Sequence, residues 1–299
     1  MTIPSLFSTT AARRHPVRRT VLQAVAALWA QSSSSRAGTP PERRLKWVAF
    51  YGQTADQSVL ASYDVVILDP MFQGSLAQIN RKATRLCGYL SLGEVRVADR
   101  IYGKIDPSVL IEENAAWPGT YRIDVRHPSW KALVLDELIP FIAQRGFTGL
   151  FLDTLDTPPY LEQTEPVAKR GMRQAAIDLV RSIRQRYPDL FVVMNRGYAL
   201  LPEVLGSVDA IVAESLLTRP DDRANGGYGW APATEVAQVL SLLAPVTEGP
   251  HRLPILSLDY WDPHDPQTIR KIYARERELG HDPYVATRQL DKIIPEPAQ

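Results

Sequence analysis

The sequence predicts a single (β/α)8 TIM-type barrel, and three observations carry that expectation. Eight short apolar runs rich in β-branched residues alternate with helical segments between Lys46 and Thr287. The runs are continuously apolar rather than alternating, as strands covered on both faces must be. Six of them lead into a polar residue, namely Asp69, Glu94, Asp153, Asn195, Glu214 and Asp259. An open doubly wound sheet is the competing architecture, but no Gly-x-Gly-x-x-Gly follows the first strand.

Taken in order, Lys46 to Gly52 reads as the first strand and Asp56 to Ser62 as a short helix. Asp64 to Pro70 is the second strand, stopped by proline, with helix formers from Leu76 to Arg85. Leu86 to Glu94 is the third, followed by a long loop holding Trp117-Pro118-Gly119 and Asp124 to Trp130. Ser129 is placed to cap a helix whose apolar residues Ala132, Leu133, Leu135, Leu138, Ile139 and Ile142 recur at helical spacing up to Gly146. Gly149 to Asp153 is the fourth strand, with Asp156 three residues beyond its acid, and one helix is expected over Pro166 to Tyr187. Leu190 to Asn195 and Asp209 to Glu214 are the fifth and sixth strands. Arg219 to Trp230 is too polar and glycine-rich to be a regular element. Thr234 to Leu243 is a helix, Leu253 to Trp261 the seventh strand, Pro266 to Leu279 a helix and Pro283 to Thr287 the eighth strand.

The N-terminus reads as an address rather than as fold. Arg18-Arg19 opens a short apolar segment, Val21 to Ala30, followed by a serine run and Ser35-Arg36-Ala37, the three parts of a Tat-like or Sec export signal. The expected organisation is therefore a signal over 1–37, a linker over 38–45 and the barrel over 46–299, placing the mature protein in the periplasm or outside the cell. The apolar segment is about half of the roughly 20 residues a bilayer span needs, so no stable membrane span is expected. The first 37 residues hold five arginines and no acid; without them 29 basic residues face 33 acidic ones, a net of −4. That balance lacks the positive face that nucleic-acid binding uses, and no nucleic-acid partner is expected. The one cysteine, Cys87, lies in an apolar run, which excludes an intrachain disulfide and marks it as core.

The strands of such a barrel deliver their C-terminal ends to one mouth. Clustered carboxylates there can hold a divalent cation, work as an acid/base pair, or attract a cationic ligand. No histidine accompanies a strand end, since His127, His251, His264 and His281 fall in loops or near helix ends, which argues against a transition-metal site. An oxygen-only Mg²⁺ or Ca²⁺ site stays open. Any single aspartate, Asp69 or Asp259 above all, could equally cap the helix that follows. Two carboxylates facing each other across a sugar are the minimal equipment of a glycosidase, and crowding raises the pKa of at least one. The rim aromatics Tyr51, Trp117, Tyr228, Trp230, Tyr260 and Trp261 could stack on sugar faces. The residue pattern locates candidates but does not assign their roles.

Several ordered motifs go further: Tyr89-Leu90-Ser91-Leu92-Gly93-Glu94, Trp117-Pro118-Gly119 with Asp124 to Trp130, Gly146 to Asp156, and Ala213-Glu214-Ser215. Together, over roughly Trp47 to Asp291, they resemble the endo-α-1,4-polygalactosaminidases, glycoside hydrolase family 114. The resemblance implies a barrel hydrolase acting without metal or cofactor on α-1,4-linked galactosamine-containing exopolysaccharide. It also implies that Asp153 is the nucleophile and Glu214 the general acid/base, with Asp69, Glu94, Asp156, Asn195 and Asp259 lining subsites; of the rim aromatics, Tyr51 and Tyr260 are the ones expected to bind substrate beside them. An acidic mouth suits this substrate, because a de-acetylated amino sugar carries an ammonium group. The segment Arg219 to Trp230 matches no part of the family pattern. A non-catalytic binder of cationic polysaccharide on the same barrel, and a glycosidase of other specificity such as an α-galactosidase, are the alternative readings.

Overall fold

The computed structural model describes residues 44–80, 84–224, 226–248 and 252–298. The expected export signal, and residues 38–43 of the expected linker, lie outside the described residues. Eight parallel strands form the sheet: β1 (Trp47–Phe50), β2 (Val65–Leu68), β3 (Arg85–Ser91), β4 (Gly149–Asp153), β5 (Phe191–Asn195), β6 (Ala210–Glu214), β7 (Ile255–Tyr260) and β8 (Asp282–Ala286). Their order in the sheet is their order in the chain, the arrangement of a (β/α)8 barrel. At the seam, the Trp47 indole N–H donates to the Asp282 carbonyl at 2.7 Å, and its ring lies 5.7 Å from that of Tyr284.

The strands fold here because they are apolar on both faces. All four residues of β2 and the first four of β4 are buried, and each of their Val, Ile, Leu and Phe side chains removed from water stabilises by roughly 1.5–3 kcal/mol. Small residues then set how closely strands approach. A Cβ at Gly149 would stand 2.4 Å from the Phe191 carbonyl oxygen and 2.9 Å from Cys87 Sγ, so β3, β4 and β5 can pack only around a glycine. Cys87 itself is buried, as expected of core.

Four expectations about local elements are corrected. The residue capping the helix that opens at Pro128 is His127, not Ser129: its Nδ1 accepts from the Ser129 N–H. That helix widens into a π turn over Val134–Leu138 ahead of Pro140, a residue with no N–H to continue the α ladder. The helix expected over Pro166 to Tyr187 begins only at Met172 and runs to Arg186, after Gly171, whose φ of 86° is left-handed; a separate helix, Thr157–Thr164, precedes it. The loop after β3 contains a three-stranded antiparallel sheet of Glu94–Arg96, Leu110–Glu113 and Thr120–Ile123. Arg219 to Trp230, expected to be irregular, is mostly a hairpin of Thr218–Pro220 and Tyr228–Trp230. Its turn uses Gly226 and Gly227 at φ 89° and 76°, so the glycines that looked like loop composition are what the reversal requires.

Among the described residues no helix is long and apolar enough to cross a membrane.

Candidate active site

Three adjacent strands end in the polar residues at the centre of the mouth: β4 in Asp153, β5 in Asn195 and β6 in Glu214. The residue after each is left-handed, Thr154 at φ 61°, Arg196 at 52° and Ser215 at 58°. A non-glycine residue there costs about 1–2 kcal/mol, so the kinks persist only because other bonds hold them. Thr154 Oγ1 accepts from the Gly93 N–H at 2.7 Å, the Arg196 N–H donates to the Val212 carbonyl at 3.0 Å, and the Ser215 N–H donates to the Leu258 carbonyl at 2.7 Å. Each kink stops its strand immediately after the site residue and leads the chain out of the barrel, leaving the side chain at the rim.

One amide ties the two acids together. Asn195 Nδ2 donates to Asp153 Oδ1 at 2.9 Å and to Glu214 Oε2 at 2.7 Å. Turning that amide over would set its oxygen against two carboxylates, so the orientation follows from charge. The two acceptor oxygens are therefore at most 5.6 Å apart, the sum of the two bonds. Nearly linear bonds from an amide whose hydrogens diverge by about 120° would set them ~5 Å apart. The remaining oxygens have phenols: Tyr89 donates to Asp153 Oδ2 at 2.7 Å and Tyr260 to Glu214 Oε1 at 2.6 Å.

The electrostatics follow from this crowding. Burial, and then the neighbouring Glu214 charge, push Asp153 up to about 6, although the bonds from Tyr89 and Asn195 pull it back. Burial, and then the negative charge of Asp153, Glu214 or both, hold the phenols of Tyr51, Tyr89 and Tyr260 well above their usual value. They stay neutral donors at any working pH. The arrangement offers two carboxylates within reach of one sugar, the pairing that glycoside cleavage uses. Among the described residues no group of three or more His, Cys, Asp or Glu side chains is placed to hold a metal ion.

The other expected residues lie at varied distances from this centre. Tyr260 points into the barrel against Glu214, and Tyr51 packs edge-on against Tyr89 with centroids 5.3 Å apart. Asp69 caps its own turn, accepting from the Met71 N–H at 2.7 Å, and lines a cavity of about 420 Å³ with Tyr51, Tyr89, Ser91, Arg96 and Asp99. That cavity adjoins the site through the two tyrosines but includes neither acid of the pair. Asp156 stands past the rim with Arg196 3.6 Å away.

Two placements differ from expectation. Glu94 does not end β3: it lies three residues beyond Ser91 in the small sheet, 8% exposed, with its carboxylate bonded by Asn114 Nδ2 at 3.0 and 3.2 Å and by Thr157 Oγ1 at 2.9 Å. Burial raises its pKa, and its role is to tie the β3 excursion to the segment after β4. Asp259 does not face the mouth at all. Neighbouring residues on a strand point to opposite faces, and with Tyr260 directed inward Asp259 must point out. It is 1% exposed, its Oδ1 accepting from the Leu217 and Thr218 N–H groups at 2.9 and 2.6 Å, so it braces the loop that leaves β6.

Sequence reasoning missed Tyr89 as a partner of Asp153. The signal was present, because Tyr89 and Ser91 share a face of β3 and that face meets β4 in register, Ser91 opposite Asp153. It also missed the three left-handed residues, for which nothing in the local composition asks.

Comparison with known proteins agrees with this fold. The model of the glycoside-hydrolase family GH114 matches residues 27–298. The glycoside hydrolase domain of PelA from Pseudomonas aeruginosa superposes with a TM-score of 0.73 at 27% identity, covering 83% of this chain and 96% of that one. Ega3 from Aspergillus fumigatus, solved in complex with galactosamine, superposes at 0.63 with 15% identity over 88% of this chain and 99% of that one, a likeness of fold. An uncharacterized protein of Deinococcus radiodurans is 27% identical over 263 residues, 82% of this chain and 80% of its own length. The chain belongs to the glycoside hydrolase family GH114.

Proposed function

We propose that this protein is an exported hydrolase of α-1,4-linked, galactosamine-containing polysaccharide, retaining configuration, with Asp153 as nucleophile and Glu214 as general acid/base. The observation that carries the reading is the single amide of Asn195 bonded to both carboxylates, which keeps them close enough for a retaining pair. Retaining pairs stand about 5–5.5 Å apart, whereas inverting pairs need about 6.5–9.5 Å to admit a water between acid and sugar. The amino-sugar substrate is supported by the resemblance of the motifs, by the galactosamine held in the Aspergillus neighbour, and by the attraction of paired acids for an ammonium group. Export is supported by the twin-arginine N-terminus.

In the first step an Asp153 oxygen bonds to the anomeric carbon while the glycosidic C–O bond breaks and Glu214 gives its proton to the departing oxygen. The product is a glycosyl ester on Asp153, with Glu214 ionised. In the second step Glu214 takes a proton from water, the water oxygen bonds to the anomeric carbon, and the ester bond breaks to restore Asp153. Tyr89 and Asn195 hold the nucleophile at a fixed angle, and Tyr260 can accept from a protonated Glu214 as readily as it donates to an ionised one.

A nucleophile must be ionised to attack. With Asp153 held up to about 6, kcat/KM is expected to rise with pH through that value, an acid limb near 6 rather than near 4. A pH profile of reducing-end release from partially de-acetylated galactosaminogalactan measures this. No release of reducing ends at any pH would defeat the reading in favour of a polysaccharide binder. Cleavage equally good on fully acetylated polymer would remove the role of the ammonium group.

A further inference from the structure

The hairpin Thr218–Pro220 and Tyr228–Trp230 presents an aromatic face that the chemistry above does not use. Trp230 is 50% exposed, its ring centroid is 5.8 Å from that of Trp261, and the Trp261 centroid is 6.2 Å from that of Tyr228. The three rings form one contiguous platform. Its place at the rim follows from the chain: Thr218, four residues past Glu214, is the ladder partner of Trp230, and Trp261 directly follows Tyr260, whose hydroxyl holds Glu214. The platform therefore adjoins the pair on the β6–β7 side, while the cavity lined by Tyr51, Asp69 and Tyr89 adjoins it on the β1–β3 side.

The platform is held from behind. Asp222 accepts from Arg288 Nη1 at 2.8 Å, Arg219 pairs with Glu235, and the Ala231 N–H donates to the Leu217 carbonyl at 2.8 Å. Trp261 Nε1 donates to Asp265 Oδ2 at 3.1 Å, and the buried Asp259 fixes Leu217 and Thr218. Rings already fixed in place lose little freedom when a ligand settles on them.

We propose that Trp230, Trp261 and Tyr228 form a distal subsite that takes a hexosamine ring of the polymer, away from the bond being cut; this rests on the hydrolase reading above. A galacto-configured ring suits it, because the axial 4-hydroxyl leaves the hydrogens of C3, C4 and C5 on one apolar face. An ammonium substituent at the edge of such a ring is drawn to the negative faces of the indoles. Continuity with the catalytic pair selects a sugar of the same chain as the occupant of this exposed apolar surface.

The test compares wild type, Trp230→Ala and Trp230→Phe on polymer and on trisaccharide. With Trp230→Ala the KM for polymer is expected to rise roughly three- to thirtyfold, while kcat and the KM for trisaccharide stay put and Trp230→Phe keeps most of the wild-type KM. Equal KM values for Trp230→Ala and wild type at both lengths would overturn the subsite. A wild type that cuts neither substrate would defeat the hydrolase reading alone, and the platform is then judged by fluorescence titration with polymer, where unchanged affinity in Trp230→Ala overturns it. Unchanged polymer KM together with loss of self-association in Trp230→Ala would assign the surface to a second copy of the chain and likewise overturn it.

Discussion

Replacing Asp153 by Asn, or Glu214 by Gln, is expected to lower kcat/KM on the polymer by at least about 10³-fold, ~4 kcal/mol of transition-state stabilisation. The loss is chemical rather than structural. In either variant the new amide carbonyl can take the hydrogen from Asn195, and the new NH2 can donate to the phenol of Tyr89 or Tyr260, which turns to accept. One phenol hydrogen loses its acceptor while one of two crowded charges is removed, two small effects of opposite sign, so the thermal midpoint should move by only a few degrees. Reducing-end assays and thermal scans on the same preparations separate the outcomes. Wild-type activity in both variants would remove these residues from the chemistry.

Asn195→Ala is expected to have the next largest effect, about 10–10²-fold in kcat. The amide donates to both carboxylates, and each such bond to a charged group contributes about 1.5–3 kcal/mol. Without it the two acids lose the donor that bridges them, each keeping only its own phenol, and their charges repel with nothing between them. The direction on pH is set by the same bond: the Asn195 contact holds the Asp153 pKa down, so its removal raises that pKa further. The acid limb should therefore move upward from about 6 as kcat falls. A fall in kcat with an unmoved limb would mean that Asn195 serves only to pack the mouth.

Much of this site is written locally in the chain. The runs closing in Asp153, Asn195 and Glu214 are buried strands ending in polar residues, and an apolar run with an abrupt polar end can be read without a partner. The eight strands and their order were legible for the same reason. What could not be read depends on register and face. Asp259 and Tyr260 are consecutive residues of β7 and cannot both point into the barrel; only the bond from Tyr260 to Glu214 decides which one does. Glu94 looks like a strand end in the sequence, but β3 stops at Ser91 and the chain turns into a second sheet in which Glu94 pairs with Arg122 and Arg96 with Thr120. Asn195 was placed as a subsite residue because its reach to two acids on flanking strands exists only once the barrel is assembled. The left-handed conformations of Thr154, Arg196 and Ser215 are likewise imposed by distant partners.

The central claim is that Asp153 and Glu214 act as a retaining pair on an α-linkage. The most direct measurement is the anomeric configuration of the first-formed reducing end, followed by NMR before mutarotation. Release of the α-anomer is the predicted result, since two displacements at the anomeric carbon restore its configuration. Release of the β-anomer would contradict it, requiring a single displacement by water and a wider separation of the two carboxylates than the bridging amide of Asn195 allows.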